Sequence, residues 1–210
     1  DGLFLEFQKL EFAGLVLCGA GLIGSGHPTI CNAANIAYRK KVFDEVGGFK
    51  DQMNLSSGDD ELLMQKIAKD SDFKVKFCID KNAIVKTSAN KTISDFYQQR
   101  KRWASKGLFY TNKLLILKLV LIFLFYFSLL VQLILGIFFS SIFLFSLLIS
   151  FLIKMIIEFA ILKKGADLLF DKNLLKYFFL TEILHIPYII IFSIAGMFGN
   201  YQWKERKIKR

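Results

Sequence analysis

"LLILKLVLIFLFYFSLLVQLILGIFFSSIFLFSLLISFLIKMIIEFAIL", residues 114–162, is almost uninterrupted apolar sequence in which Lys118, Lys154 and Glu158 are the only charges. A helix needs about 20 residues to cross the hydrocarbon of a bilayer, so the run is long enough for two. Gly136 to Ser141 offers a turn, and the stretch is predicted to be a hairpin of helices at about 114–136 and 140–162. The polar segment "KKGADLLFDKNLLK" (163–176) follows, and then Tyr177 to Phe198 forms a third apolar stretch at about 177–198. Glu182 and His185 are costly in lipid, and Pro187 interrupts the backbone ladder. This third stretch therefore reads as kinked, re-entrant or interfacial, beside the plain alternative of a third full crossing.

Composition agrees with a membrane protein. Of 210 residues, 54% are hydrophobic and 15% aromatic, and the mean hydropathy of +0.42 is high for a soluble domain. Residues 1–106 hold 16 of the 28 Lys and Arg and 13 of the 18 acids, a balance of +3, whereas residues 107–210 carry +7. A basic excess beside long apolar runs points to the cytoplasmic face of a membrane. The interleaved aromatic and basic residues of a nucleic-acid site are absent, so no nucleic-acid partner is expected. Cys18, Cys31 and Cys78 show neither CxxC nor Cys/His ligand spacing and read as reduced thiols. The loop (163–176), the tail "KERKIKR" (204–210) and the first half all carry the Lys and Arg excess of the cytoplasmic side. Three full crossings cannot put all of them there.

The first half reads as mixed α/β. A helix is predicted from Leu3 to about Leu22, closed by "GAGLIGSGHPT". Gly19, Gly21 and Gly24 spell GxGxxG, but a helix precedes them where a dinucleotide fold has a strand. "CNAANIAYRK" (31–40) reads as a short buried strand and "KVFDEVGGF" (41–49) as a helical turn stopped by Gly47 and Gly48. The alternation in "FKVKFCI" (73–79) predicts a strand, with "NAIVKT" (82–87) a further candidate. Thr92 and Asp95 make a capping-box-like start for a helix through about Lys106.

Two constellations point to chemistry. In "SSGDDELLMQKI" (56–67), Asp59, Asp60 and Glu61 crowd a helix start. Carboxylates there are favoured by the exposed N–H groups and the helix dipole, so simple capping explains them as well as catalysis does. In "DFYQQRKRWASKG" (95–107), Gln99, Arg102 and Trp103 fall at i, i+3 and i+4 and share one helical face. An amide, a guanidinium fork and an indole suit a diphosphate and a sugar ring. The same helix also reads as a juxtamembrane anchor, with Arg100, Lys101, Arg102 and Lys106 on anionic headgroups and Trp103 at the interface.

The acidic helix start, the segment "NAANIAYRKKVFDEVGGF" and the QxxRW pattern occur in that order and are followed by membrane helices. In this the chain resembles the membrane-bound family 2 glycosyltransferases of the cellulose, chitin and hyaluronan synthase type, over most of residues 28–110. The resemblance implies an α/β fold class, the C-terminal half of a GT-A glycosyltransferase domain followed by transmembrane α-helices. Residues 1–106 would be a partial, acceptor-side domain and residues 107–210 a membrane region of two or three helices. The resemblance further implies inverting transfer from a nucleotide-sugar donor to a growing polysaccharide or other glycan acceptor. Asp60 would be the general base and Asp59 its acidic neighbour. Gln99, Arg102 and Trp103 would lie near the diphosphate and acceptor end, and Asn32, Asn35 and Tyr38 would line the acceptor side. A divalent metal, Mg²⁺ or Mn²⁺, is expected from the family, held partly by an upstream DxD. No DxD precedes Asp59 here; "DSD" at Asp70–Asp72 follows the acidic helix and reads as a coincidence of letters. The chain opens on Asp1 with no signal-peptide pattern, and the expectation is a C-terminal portion that is inactive alone. The expected location is the bacterial inner membrane, multi-pass, with the catalytic part cytoplasmic.

Three rival readings stand beside this one. A single sugar transferred to a lipid-linked acceptor is the enzymatic rival. A non-catalytic membrane-anchored scaffold would use the acids as caps and the Arg/Trp helix as a lipid anchor. A transporter would rest on Glu182 and His185, and leaves the first half without a purpose.

Overall fold

The structure is a computed structural model and describes residues 2–50, 58–110, 112–198, 200–203 and 206–208. The described residues form seven α-helices: α1 (Leu3–Gly24), α2 (Lys40–Glu45), α3 (Asp59–Asp70), α4 (Ile93–Ala104), α5 (Lys113–Phe138), α6 (Ile142–Leu168) and α7 (Phe178–Met197). The strands β1 (Tyr201–Trp203) and β2 (Arg206–Ile208) form an antiparallel hairpin that pairs Tyr201 with Ile208 and Trp203 with Arg206. The chain divides into two compact units, residues 1–89 with 161–176, and residues 90–160 with 177–210.

The α/β expectation, and with it the GT-A half-domain, is overturned: the chain is mainly helical, and among the described residues the only ladder is the short β1–β2 hairpin. From Phe73 to Cys78 burial does alternate, with Phe73, Val75 and Phe77 half-buried and Lys74, Lys76 and Cys78 exposed, yet these residues form no ladder. The alternation records which side faces the core; a strand also needs a neighbour for its N–H and C=O groups. Residues 31–40 are not a buried strand either. Ala33–Asn35 form a 3₁₀ turn, and Ala33 to Lys40 are exposed. In the other candidate strand, Lys81–Ala83 form a 3₁₀ turn and the residues after it join no sheet.

The helix predictions fare better because they rest on local signals. In the first unit α3 begins and ends where the apolar spacing places it, burying Leu63, Met64 and Ile67. Gly58 precedes it at φ +96°, a left-handed backbone that favours glycine; Ser57 lies outside the described residues. Val42 and Val46 meet Leu63 and Ile67 in a small core that Phe43, Phe73 and Val75 cover. The helix α1 buries Phe7, Leu10 and Ala13, and Gly165 of the α6 end comes directly against Leu17. Gly19, Gly21 and Gly24 all lie within α1, so the GxGxxG letters form no loop.

The second unit is built around the predicted hairpin. The helices α5 and α6 are joined by residues 139–141, and Gly136 lies directly against the Leu144 side chain. With 26 residues, α5 is about 39 Å long at 1.5 Å per residue, more than the roughly 30 Å of a bilayer core. Its faces are lined with exposed Leu, Ile and Phe, as suits lipid and not water. Four helical stretches, Leu3–Gly24, Lys113–Phe138, Ile142–Leu168 and Asn173–Met197, are long and apolar enough to cross a membrane. The sequence predicts two or three membrane helices, all among the last three stretches; α1 joins them although Glu6, Lys9 and Glu11 lie on it.

The helix α4 packs along α7. Thr92 Oγ1 accepts the Asp95 N–H at 3.0 Å, the N-cap bond expected at this helix start, and donates to Asp95 Oδ2 at 2.7 Å. Phe96 meets Phe192 edge-on at 5.8 Å and Tyr188 at 6.0 Å, and Tyr97 meets Phe192 at 5.5 Å. At the far end a Cβ on Gly196 would stand 2.6 Å from Ala104 Cβ and 2.8 Å from the Ala104 carbonyl carbon. Backbone atoms cannot move aside as a flexible side chain can. Gly196→Val should therefore destabilise this unit by about 1–3 kcal/mol. Thermal unfolding in detergent should show a lowered Tm, while Gly107→Val, whose Cβ would meet nothing within 4 Å, should not.

Candidate functional site

The acidic helix start and the QxxRW helix belong to different units. In the first unit the structure brings Asp60 to the Asn32–Asn35 turn. Asp60 is half-buried on the first turn of α3; its Oδ2 accepts the Ala33 N–H at 2.8 Å and its Oδ1 the Glu61 N–H at 2.9 Å. One bond is a helix-start contact and the other reaches across 27 residues. The carboxylate is thus fixed in orientation by two backbone donors.

The turn beside it is held by its own side chains. Asn32 Oδ1 accepts the Ala34 N–H at 2.9 Å, and Asn35 Nδ2 donates to the Ala83 carbonyl. Gln65, one turn along α3, donates to the Thr29 carbonyl at 2.9 Å and pins the approach to this turn. Asn32 and Asn35 therefore flank the residue that Asp60 grips. Asp59 is the exposed neighbour. Tyr38 is set apart from this group; it is exposed and stacks on Phe43 with ring centroids 5.3 Å apart. Asp70 and Asp72 are exposed at the far end of α3, away from its acidic start.

In the second unit Gln99, Arg102 and Trp103 are all half-buried on α4. Gln99 Oε1 accepts from Asn90 Nδ2 at 2.8 Å and from the Arg100 guanidinium. Arg100 is the residue that the sequence reading placed differently. Only 4% exposed, it does not face headgroups; its guanidinium lies 4.6 Å from the Phe96 ring centre and 4.3 Å from that of Trp103. Cation–π contact with two rings lowers the cost of burying it. Arg100 thereby orders both ends of the QxxRW motif, the Gln99 amide and the Trp103 indole.

A third polar group lies among the long helices. Lys154 on α6 donates to Glu158 Oε2 at 3.0 Å and to Glu182 of α7, and Tyr126 of α5 donates to Glu158 Oε1 at 3.1 Å. His185 Nδ1 is 3.2 Å from the Tyr126 hydroxyl. The sequence reading singled out Glu182 and His185 but gave them no partners. The i, i+4 spacing of Lys154 and Glu158 and the i, i+3 spacing of Glu182 and His185 were the available signals.

This group also bears on the metal. Ligand atoms of Glu158, Glu182 and His185 lie within 4.8 Å of one another. The Lys154 ammonium, however, already bonds both carboxylates, and a divalent cation would have to displace a buried like charge. The set does not fit the metal of a nucleotide-sugar enzyme.

Against known proteins, the chain matches the family described as glycosyl transferase family group 2 over residues 4–197. No curated protein and no solved structure matches it. The match spans the acidic helix start, the QxxRW helix and α5 to α7 in full, and so the chain belongs to glycosyl transferase family group 2.

Proposed function

We propose that the protein transfers a sugar from a nucleotide-sugar donor to a growing glycan at the cytoplasmic face of a membrane, with inversion at the anomeric carbon. The observation that carries this reading is the Asp60 carboxylate, fixed by two backbone N–H groups beside the Asn32–Asn35 turn within a chain of this family. In an inverting transfer the acceptor hydroxyl attacks from the face opposite the leaving group. Its proton passes to Asp60, the new C–O bond forms at the anomeric carbon, and the C–O bond to the diphosphate breaks with its electron pair leaving on the diphosphate. Arg102 supplies a forked cation for that charge, and Trp103 an apolar face for a sugar ring. Asn32 and Asn35 lie on the acceptor side in this reading, with Tyr38 farther along the same segment.

The packing of α4 also bears on topology. It brings Arg100, Lys101 and Arg102 alongside the second half of α7, where Phe96 and Tyr97 meet Phe192. A helix with three cations is not a lipid-embedded neighbour. That half of α7 accordingly sits at the membrane surface with α4, and the basic tail stays on the same side. This relieves the conflict between three full crossings and the Lys and Arg excess of the loop and tail.

Three outcomes test these statements. With the protein in native-like membranes, a panel of sugar nucleotides and Mg²⁺ or Mn²⁺, Asp60→Asn should cut nucleotide release about 10²–10⁴-fold, while the unfolding temperature falls only by the loss of one of its two backbone bonds, about 1–3 kcal/mol, and the protein stays folded. Release at the wild-type rate would remove Asp60 from the role of base, and analysis of the product distinguishes polymer from a singly glycosylated lipid. Arg100→Ala should cost about 2–4 kcal/mol of stability through loss of its two rings and the Gln99 bond. Arg102→Lys should instead keep the unfolding temperature and lower turnover. With the native cysteines replaced by Ser, Gln202→Cys in cytoplasm-side-out vesicles should react with a membrane-impermeant thiol reagent and Ser140→Cys should not; the reverse pattern refutes the surface placement of α7.

A further inference from the structure

The polar group between α5, α6 and α7 has an unbalanced charge. Lys154 contributes one positive charge and Glu158 and Glu182 two negative ones, while Tyr126 and a neutral His185 add none. The side chains of Lys154 and Glu182 are each only 3% exposed, so the unit charge left over is not shared with water at that point. Glu158 and His185, at 29% and 23%, form the open edge of the group. Glu158 lines a groove of about 450 Å³ whose other walls are Leu121, Ile122, Phe125 and Tyr126. An uncompensated carboxylate in such surroundings costs several kcal/mol, more than taking up one proton does.

The hydrogen-bond geometry shows where such a proton can move. The Tyr126 hydroxyl has one hydrogen and two neighbours, Glu158 Oε1 at 3.1 Å and His185 Nδ1 at 3.2 Å. If Tyr126 donates to Glu158, then His185 Nδ1 must carry a hydrogen and donate to the hydroxyl oxygen. If Tyr126 donates to His185 instead, Glu158 must carry a hydrogen to keep the bond. The three groups therefore form a short relay along which one proton can pass between carboxylate and imidazole.

We propose that Lys154, Glu158, Glu182, His185 and Tyr126 form a binding site for a single proton within the apolar helices, occupied at neutral pH. Among the described residues no further charged side chain pairs with the group. Farther along α7, α4 and the turn after it bring Asp95, Arg100, Lys101, Arg102 and Lys106; this segment packs on α7 at Tyr188, Phe192 and Gly196, of which Tyr188 stacks on His185 with ring centroids 5.6 Å apart. Of these, Arg100 is held over Phe96 and Trp103 and Lys101 lies 6.0 Å from the Tyr97 ring centre. On α5, Lys118 is eight residues from Tyr126 and exposed.

Charge-changing variants test this in the full chain, reconstituted in nanodiscs at neutral pH. The readouts are the infrared band of a protonated carboxyl, with its shift in D₂O, and the ¹⁵N spectrum of His185. The chain has two histidines, and His27→Ala leaves only the relevant signal. Wild type should show a protonated carboxyl or a doubly protonated His185. Glu182→Gln or Glu158→Gln brings the fixed charge to zero, and the signature should vanish. Lys154→Gln with Glu182→Gln removes one charge of each sign, restores the deficit of one, and should retain it. Absence of both signatures in wild type overturns the proposal without any variant. So does their persistence in either single Gln variant, or their loss in the folded double variant. If one single variant does not fold, the other decides together with the double.

Discussion

Lys154 is a buried cation held between carboxylates of its own helix and of the next, and the placement of α7 depends on it. Between helices in lipid there is little hydrophobic drive, since the surrounding chains are as apolar as leucine; close packing and interhelical polar bonds decide which faces meet. The Lys154–Glu182 pair supplies such a bond, and Tyr126 ties α5 to the same point through Glu158. With α7 fixed in this way, its second half presents Tyr188, Phe192 and Gly196 to α4. The helix that bears Gln99, Arg102 and Trp103 is thus positioned through a contact made deeper among the apolar helices.

Asp60 shows why capping and catalysis are hard to separate on a single helix start. A capping carboxylate is satisfied by the N–H groups of its own helix. Asp60 does this through Glu61, but its second oxygen reaches the Ala33 N–H, so the same side chain fixes the Asn32–Asn35 turn. A base needs a carboxylate that stays in one orientation while the acceptor arrives. Two rigid backbone donors provide that and leave further lone pairs on both oxygens for an acceptor hydroxyl. An ordinary cap would not draw a distant turn to itself.

What was legible in the sequence follows the range of each signal. Helix starts and stops are local, and α3, α4 and the α5–α6 hairpin lie where Asp59, Thr92 and Gly136 to Ser141 indicate. Strands are not local. The alternation from Phe73 to Phe77 is present as alternate burial, but pairing requires a second segment at the right distance, and no stretch of seven residues encodes that. Residues 31–40 misled for a related reason: Asn32 and Asn35 spend their side chains on a tight turn, which composition cannot tell from an extended segment. Glu182 read as a cost in the bilayer because its partner Lys154 lies 28 residues away on another helix.

The two readings of α4, ligand face and lipid anchor, make different demands on the same cations. An anchor needs its charges pointing outward to headgroups, and Arg100 is instead enclosed between Phe96 and Trp103. Burying a guanidinium is expensive unless something is gained from its geometry. Here it grips the Gln99 amide and backs the Trp103 ring, the two ends of one helical face whose middle member is Arg102. A loose surface anchor has no use for such ordering, because headgroups accept cations in any arrangement. A site that must meet a diphosphate and a sugar ring at set positions requires it.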